Sequence, residues 1–342
     1  MRKIIILLGF FVGLVTSCTD FTEQLEKGKV TSEVLATKSL ISEVKENEWI
    51  GLYPDSSRLA NLVLFGSHDA GTFKSSSGCV KCQDLNIEEQ LSWGVRVFDC
   101  RLSENMNFFH GSFYCEMNFY DFAKPCISFL QSNPREFIVV MAKAENAEGP
   151  GHIYNENFQK NVDELGREHF LFEKDLLNQP ISKLRGKMVV VTRGYNKGEL
   201  GYIEGAPQIN WPDDTTQNPT SEANGCLRVA ISDRYKAYPE TKVLVVKGVF
   251  PEILPTLKKD PTRWFIFFTS GYDYSGSLNI PYPEGYTIRF RKEGLGVLKE
   301  NAIYLQRGGT LMMDFAGYWS DLRNYILKNV ILSSSEDLDR TM

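Results

Sequence analysis

The sequence predicts an α/β fold: an irregular TIM-type (β/α)8 barrel forming a single catalytic domain. Three observations lead there. Eight short apolar runs recur, at 62–65, 95–99, 107–110, 137–142, 188–192, 227–231, 264–269 and 310–314. Runs that are apolar on both faces and alternate with helical patterns are expected of a parallel sheet. Polar residues then collect where the runs end: His68, Asp99, Arg101, His110, Lys143, Arg193, Asp233 and Asp314. In a closed barrel these positions share the C-terminal rim, where sites form. Periodicity alone also fits an open doubly wound sheet, but eight runs in one chain favour closure.

The elements follow in order. The polar, mixed-charge stretch before Trp49 reads as a tether, and the globular part begins near that residue. Leu62–Phe65 is a strand that stops at Gly66, followed by Ser67-His68-Asp69. Residues 87–93 and 119–131 show helical spacing, the second ending before Asn133-Pro134. Val95–Asp99 lies between them, and its link to Asn107–His110 is so short that the barrel is expected to be irregular there. Further helices are predicted over 158–165 and 294–304, the latter leading into the last strand. The segment from Pro207 to Gly225 is a long polar loop.

The N-terminus reads as a targeting segment. Arg2 and Lys3 precede an apolar run from Ile4 to Val15, which is too short for a comfortable transmembrane helix. Val15-Thr16-Ser17-Cys18 resembles a bacterial lipobox. The expected organisation is therefore a lipoprotein signal peptide at 1–17, a polar tether over 18–45 behind a lipidated Cys18, a barrel at 46–332 and a polar tail at 333–342. This implies an exported bacterial lipoprotein, membrane-anchored through Cys18 on the periplasmic or the outer face. Six cysteines remain, and Cys79-Val80-Lys81-Cys82 sits in a loop without a second close Cys or His pair. A zinc site is therefore disfavoured against a loop disulfide or free thiols, and Cys100 reads as a buried small hydrophobe. The net charge of −5 gives no basic excess of the kind nucleic-acid binders carry. A monomer is expected.

The chain has only four histidines, and two of them end apolar runs. Histidine titrates near neutrality, so two can act as general base and general acid in one turnover. That division suits in-line transfer at phosphorus, where the anionic transition state needs a fixed positive partner. Arg101 offers a planar, bidentate fork. Asp314 and Asp69 are the carboxylates available to orient the two imidazoles. A metal is not called for: no close His pair is present, and Arg101 would repel a cation at the centre. Gly66-Ser67-His68 lacks the Gly-x-Ser-x-Gly elbow of a serine nucleophile.

Taken in order, these motifs resemble the bacterial phosphatidylinositol-specific phospholipases C. Tyr53-Pro54-Asp55-Ser56 is similar to the entry segment of that family, and Gly66-Ser67-His68-Asp69-Ala70-Gly71-Thr72 to its Gly-Thr-His-Asp-Ser-Gly-Thr block. Val95–Arg101 resembles the strand that delivers a phosphate-binding arginine, and Phe109-His110-Gly111 the segment with the second histidine. The resemblance runs from about Trp49 to the last strand. It implies an irregular barrel in which His68 is the base oriented by Asp314, His110 the acid coupled to Asp69, and Arg101 the ligand of the phosphoryl oxygens. It further implies that Lys143, Glu145, Arg193, Asp233, Tyr235 and Asp99 bind inositol, with Trp211 a weaker candidate. No cofactor is implied. The partner would be an inositol phospholipid at a membrane surface, with rim aromatics such as Phe113, Tyr114, Tyr272 and Tyr274 as candidate lipid contacts. The chain departs from the secreted members in a shorter segment between Arg101 and His110, in the Cys-x-x-Cys loop and in the lipobox. Two other readings stay open: a related barrel phosphodiesterase that cleaves another head group with a divalent cation, and a catalytically silent lipoprotein that binds lipid or glycan.

Overall fold

The structure is a computed structural model and describes residues 48–193, 200–216, 226–272 and 282–331, with 218–219 as backbone. The segments expected to be signal peptide, tether and C-terminal tail, with Cys18 and Tyr274, lie outside the described residues. Among the described residues no helix is long and apolar enough to cross a membrane.

Seven parallel strands form the wall. They are β1 (Val63–Ser67), β2 (Val95–Leu102), β5 (Ile138–Ala144), β7 (Met188–Thr192), β9 (Val229–Ser232), β10 (Trp264–Phe268) and β11 (Gly309–Met313). Their spatial order is β7-β5-β2-β1-β11-β10-β9. Short β6 (Phe170–Leu171) pairs with β7 in parallel, and β8 (Asn218–Pro219) pairs antiparallel with β9. Gln208 makes single parallel bridges to Thr192 at the end of β7 and to Cys226 before β9, so the eighth stave is reduced to one bridging residue. The barrel forecast holds, and the irregularity is wider than the short link after β2.

One strand assignment needs correction. Asn107–His110 is no parallel stave. It is β3 of an antiparallel hairpin with β4 (Phe113–Asn118), attached to the end of β2 through Leu102 and Phe108. An apolar run carries no sign of strand direction, and the link between the two runs is too short for a parallel crossover.

Helices pack outside. α1 (Ile87–Trp93) starts with a capping box between Asn86 and Glu89 and stops at Gly94, which turns through φ 112°. α2 (Phe119–Ser132) is capped by Asn118. α3 (Gly151–Leu165) begins earlier than its spacing predicts. α4 (Pro239–Lys259) has no counterpart in the sequence forecast, because Pro251 and Pro255 fall inside it and read as breaks. Its buried stripe, which includes Val246, Val249, Phe250 and Ile253, nevertheless covers β10, with Phe250 edge-on to Phe267 at 5.1 Å. α5 (Pro283–Asn301) and α6 (Ser320–Ile326) complete the described α-helices.

The inner strands approach closely where the site begins. A Cβ on Gly66 would lie 2.1 Å from Met312 Sδ and 3.2 Å from Val97 O, so a side chain here would have to displace Met312. At the opposite end of β2, fully buried Arg96 donates to Glu136 at 2.7 Å and stacks on Phe129. This paired charge braces the bottom of the barrel, away from the rim.

Candidate active site

The ends of β1 and β11 are locked in register. His68 N donates to Met313 O, and buried Gln83 donates from Nε2 to His68 O at 2.7 Å and to Met313 O at 2.8 Å. Gln83 Oε1 accepts from Ala316 N. Just past each strand, Asp69 (φ 44°) and Phe315 (φ 48°) take the left-handed conformation that non-glycine residues rarely adopt. These turns aim His68 and Asp314 at each other across the top of the sheet.

His68 Nδ1 lies 2.7 Å from Asp314 Oδ1, and His68 Nε2 lies 2.7 Å from the Arg101 guanidinium. A guanidinium has only donors, so Nε2 accepts, and Nδ1 carries the proton that is donated to Asp314. The lone pair on Nε2 is the one a general base uses. Burial works against a charge on His68, but the carboxylates of Asp314 and Asp69 outweigh both burial and Arg101, and its pKa rises above 6.5.

Arg101 anchors the centre. Its Nε lies 2.9 Å from Asp69 Oδ1 and 3.0 Å from Asp99 Oδ2. Burial alone would raise the Asp99 carboxyl, but Arg101 and Arg193 together hold it below the usual carboxylate range. Asp69 is shared by both histidines: Oδ2 is 3.3 Å from His68 Nε2 and 3.7 Å from His110 Nε2. The second distance is that of an ion pair rather than a hydrogen bond. His110 Nδ1 donates to Val80 O at 3.0 Å, which turns Nε2 toward Asp69. Glu145 accepts from Gly111 N at 2.9 Å and so ties the tip of the His110 hairpin to β5.

The remaining candidates form the other wall. Lys143 pairs with Glu145 at 2.5 Å, while burial and then Arg101 and Arg193 push its ammonium down. Trp211 stacks on Arg193, whose guanidinium carbon is 3.5 Å from the ring centroid, and donates to Asp233 at 3.1 Å. Tyr235 donates to Asp213 and lies beside Tyr272, ring centroids 5.7 Å apart.

A cavity of about 550 Å³ connects these groups, with His68, Arg101, His110, Lys143, Arg193 and Asp233 on its surface. Tyr235, Trp211 and Asp314 also reach it. Asp69, Asp99 and Glu145 stand behind this surface, holding the cations and the hairpin. Sequence reasoning undervalued Trp211 and missed Gln83 and the Val80 carbonyl. The six cysteines among the described residues are free thiols, with Cys100 buried as expected. Ligand atoms of His68, Asp69 and Cys82 lie close enough to hold a metal ion. The Arg101 guanidinium bonded to His68 Nε2 and paired with Asp69 puts a positive charge at that position, so the residues present do not fit a cation there.

No protein-family model matches the chain. A 1-phosphatidylinositol phosphodiesterase of Staphylococcus aureus strain Newman is 27% identical over 296 residues, which covers 81% of this chain and 90% of that relative. Over most of its length the chain is similar in sequence to these bacterial phosphodiesterases. A protein of the same name from Listeria monocytogenes is 24% identical over 207 residues, covering 55% of this chain and 63% of the relative. A solved structure of a variant phosphatidylinositol-specific phospholipase C from S. aureus matches with a TM-score of 0.67 at 25% identity, over 85% of this chain and 98% of that one. The Listeria phosphatidylinositol-specific phospholipase C matches with a TM-score of 0.62 at 18% identity, a likeness of fold, over 85% of this chain and 99% of its own.

Proposed function

We propose that this chain is a phosphatidylinositol-specific phospholipase C that cleaves its substrate by general acid–base catalysis. The observation that carries the reading is the placement of two histidine Nε2 atoms around one Asp69 oxygen, at 3.3 and 3.7 Å, with the Arg101 guanidinium on His68 Nε2 in the same cavity. That spacing brackets a phosphoryl group. In the proposed reaction His68 Nε2 takes the proton of the inositol 2-hydroxyl, whose oxygen bonds to phosphorus. The bond from phosphorus to the glycerol oxygen breaks, and His110 gives that oxygen its proton. The products are inositol 1,2-cyclic phosphate and diacylglycerol. Attack is intramolecular, so orientation supplies much of the acceleration. Arg101 releases its bond to His68 and takes up the non-bridging oxygens. Lys143, Arg193, Asp233 and Tyr235 bind the ring hydroxyls and face, with Trp211 steadying Arg193.

The mature protein is proposed to be an exported lipoprotein anchored through Cys18. The basic start and short apolar run support this, and Phe113 (58% exposed) and Tyr114 (51% exposed) on the hairpin beside His110 suit contact with a lipid surface. Loss of palmitate labelling in Cys18→Ala would be the sign of that anchor; labelling that persists would refute it.

Head-group release from phosphatidylinositol, phosphatidylcholine and sphingomyelin vesicles, with and without excess chelator, tests the function. Release from the inositol lipid alone, unaffected by chelator, is expected. Cation-dependent release from another lipid would establish the related-phosphodiesterase reading instead, and no release from any inositol lipid would establish the silent binding protein.

A further inference from the structure

Lys242 is a buried charged side chain close to the site, and the proposed reaction gives it no role. It lies in the first turn of α4 and is 0% exposed, a state lysine rarely occupies without a charged partner. Its Nζ donates to a backbone carbonyl, Phe268 O, at 3.0 Å. Among the described residues no carboxylate makes a direct ion pair with it. Phe268 ends β10, and its ring meets two parts of the site. It lies edge-on to the His68 imidazole at 5.7 Å and to Trp211 at 5.4 Å. Lys242 therefore holds the residue that backs both the base and the inositol side.

The charge has a second consequence. Asp233 after β9, Asp314 after β11 and Asp214 in the preceding loop all act on the ammonium, with Arg234 opposing them. Burial outweighs these acids and brings Lys242 down to about 8. A positive charge near Asp314 favours loss of a proton from the His68–Asp314 pair, which shares one buried proton. A neutral donor could hold the Phe268 carbonyl equally well; the charge itself also lies over the Phe267 ring, 5.8 Å from its centroid.

We propose that Lys242 is a positioning residue for His68: from behind the cavity it fixes the end of β10 and sets a buried positive charge that keeps the His68–Asp314 pair ready to accept a proton. This rests on His68 as the base, but its primary readout needs no substrate.

The test is titration of the His68 imidazole by NMR in the purified full chain, with the His68→Ala spectrum identifying the signal. Lys242→Gln keeps a donor for Phe268 O and removes the charge, Lys242→Met removes both, and Lys242→Arg keeps the charge. The His68 midpoint should rise by about half a pH unit or more in the Gln and Met variants, a roughly threefold change in protonation ratio. It should stay at the wild-type value in Lys242→Arg. Activity on phosphatidylinositol micelles should fall on the acid side and converge with wild type above about pH 8, where Lys242 itself loses its charge. An unmoved midpoint in either folded neutral variant, an equal shift in Lys242→Arg, or an activity loss of the same size at every pH would overturn the proposal. Failure of the phospholipase reading would show as no cleavage by wild type and would leave the titration result standing by itself.

Discussion

Asp314→Asn tests the most constrained contact of the site. The carboxylate lies 2.7 Å from His68 Nδ1 and is 2% exposed, so the bond is made away from water. When His68 takes a proton in the proposed reaction, this becomes a bond between two charges. Hydrogen bonds to charged groups contribute about 1.5–3 kcal/mol. At ~1.4 kcal/mol per factor of ten, kcat should fall roughly 10- to 150-fold. The pH profile gives the sharper readout. His68 is raised above 6.5 by Asp314 and then Asp69, against burial. Losing the carboxylate lowers it, so the acid limb of kcat/KM should move to lower pH. Stability follows the same sign. A group whose folded pKa is raised contributes stability that is present below about 6.5 and lost as pH rises through the folded value. The deficit of Asp314→Asn in chemical denaturation should therefore be larger near pH 5.5 than near pH 9, both taken as approximate bounds of the His window. An acid limb that stays in place or moves upward would refute the assignment of Asp314 as the partner of His68.

Three further outcomes follow from named contacts. Arg101→Lys keeps the charge but loses the fork that reaches Asp69, Asp99 and His68 at once; kcat should fall roughly 10²–10³-fold with the fold intact by circular dichroism. Excess chelator should leave steady-state cleavage of phosphatidylinositol unchanged, since the Arg101 guanidinium stands where a cation would sit. Gly308→Ala should destabilise the chain by at least about 2 kcal/mol in denaturant titration: its φ is 116°, and the added Cβ would lie 2.0 Å from the Ala60 carbonyl oxygen.

Much of the site could be read in the sequence because its chemistry sits where strands stop. His68, Arg193, Asp233 and Asp314 each follow a buried run directly, and a barrel brings such ends to one rim. What sequence patterns left out has physical reasons. The direction of β3 is invisible in an apolar run, so a hairpin strand was counted as a stave. α4 was hidden by Pro251 and Pro255, although its apolar stripe is helical. The supports of the histidines are a glutamine side chain and a backbone carbonyl, Gln83 and Val80, which carry no motif. Burial also separates roles that residue type does not. Asp99 and Glu145 look like ring-binding acids, yet Asp99 lies under two guanidiniums and Glu145 clasps the His110 hairpin.

The most direct test of the account is phosphorus NMR of phosphatidylinositol turned over by wild type, His68→Ala and His110→Ala. Wild type should give inositol 1,2-cyclic phosphate as first product, and each variant should lose at least about 10³-fold in rate, as expected when an acid or base is removed. Near wild-type cleavage by either variant, or an acyclic inositol phosphate as first product, would contradict it.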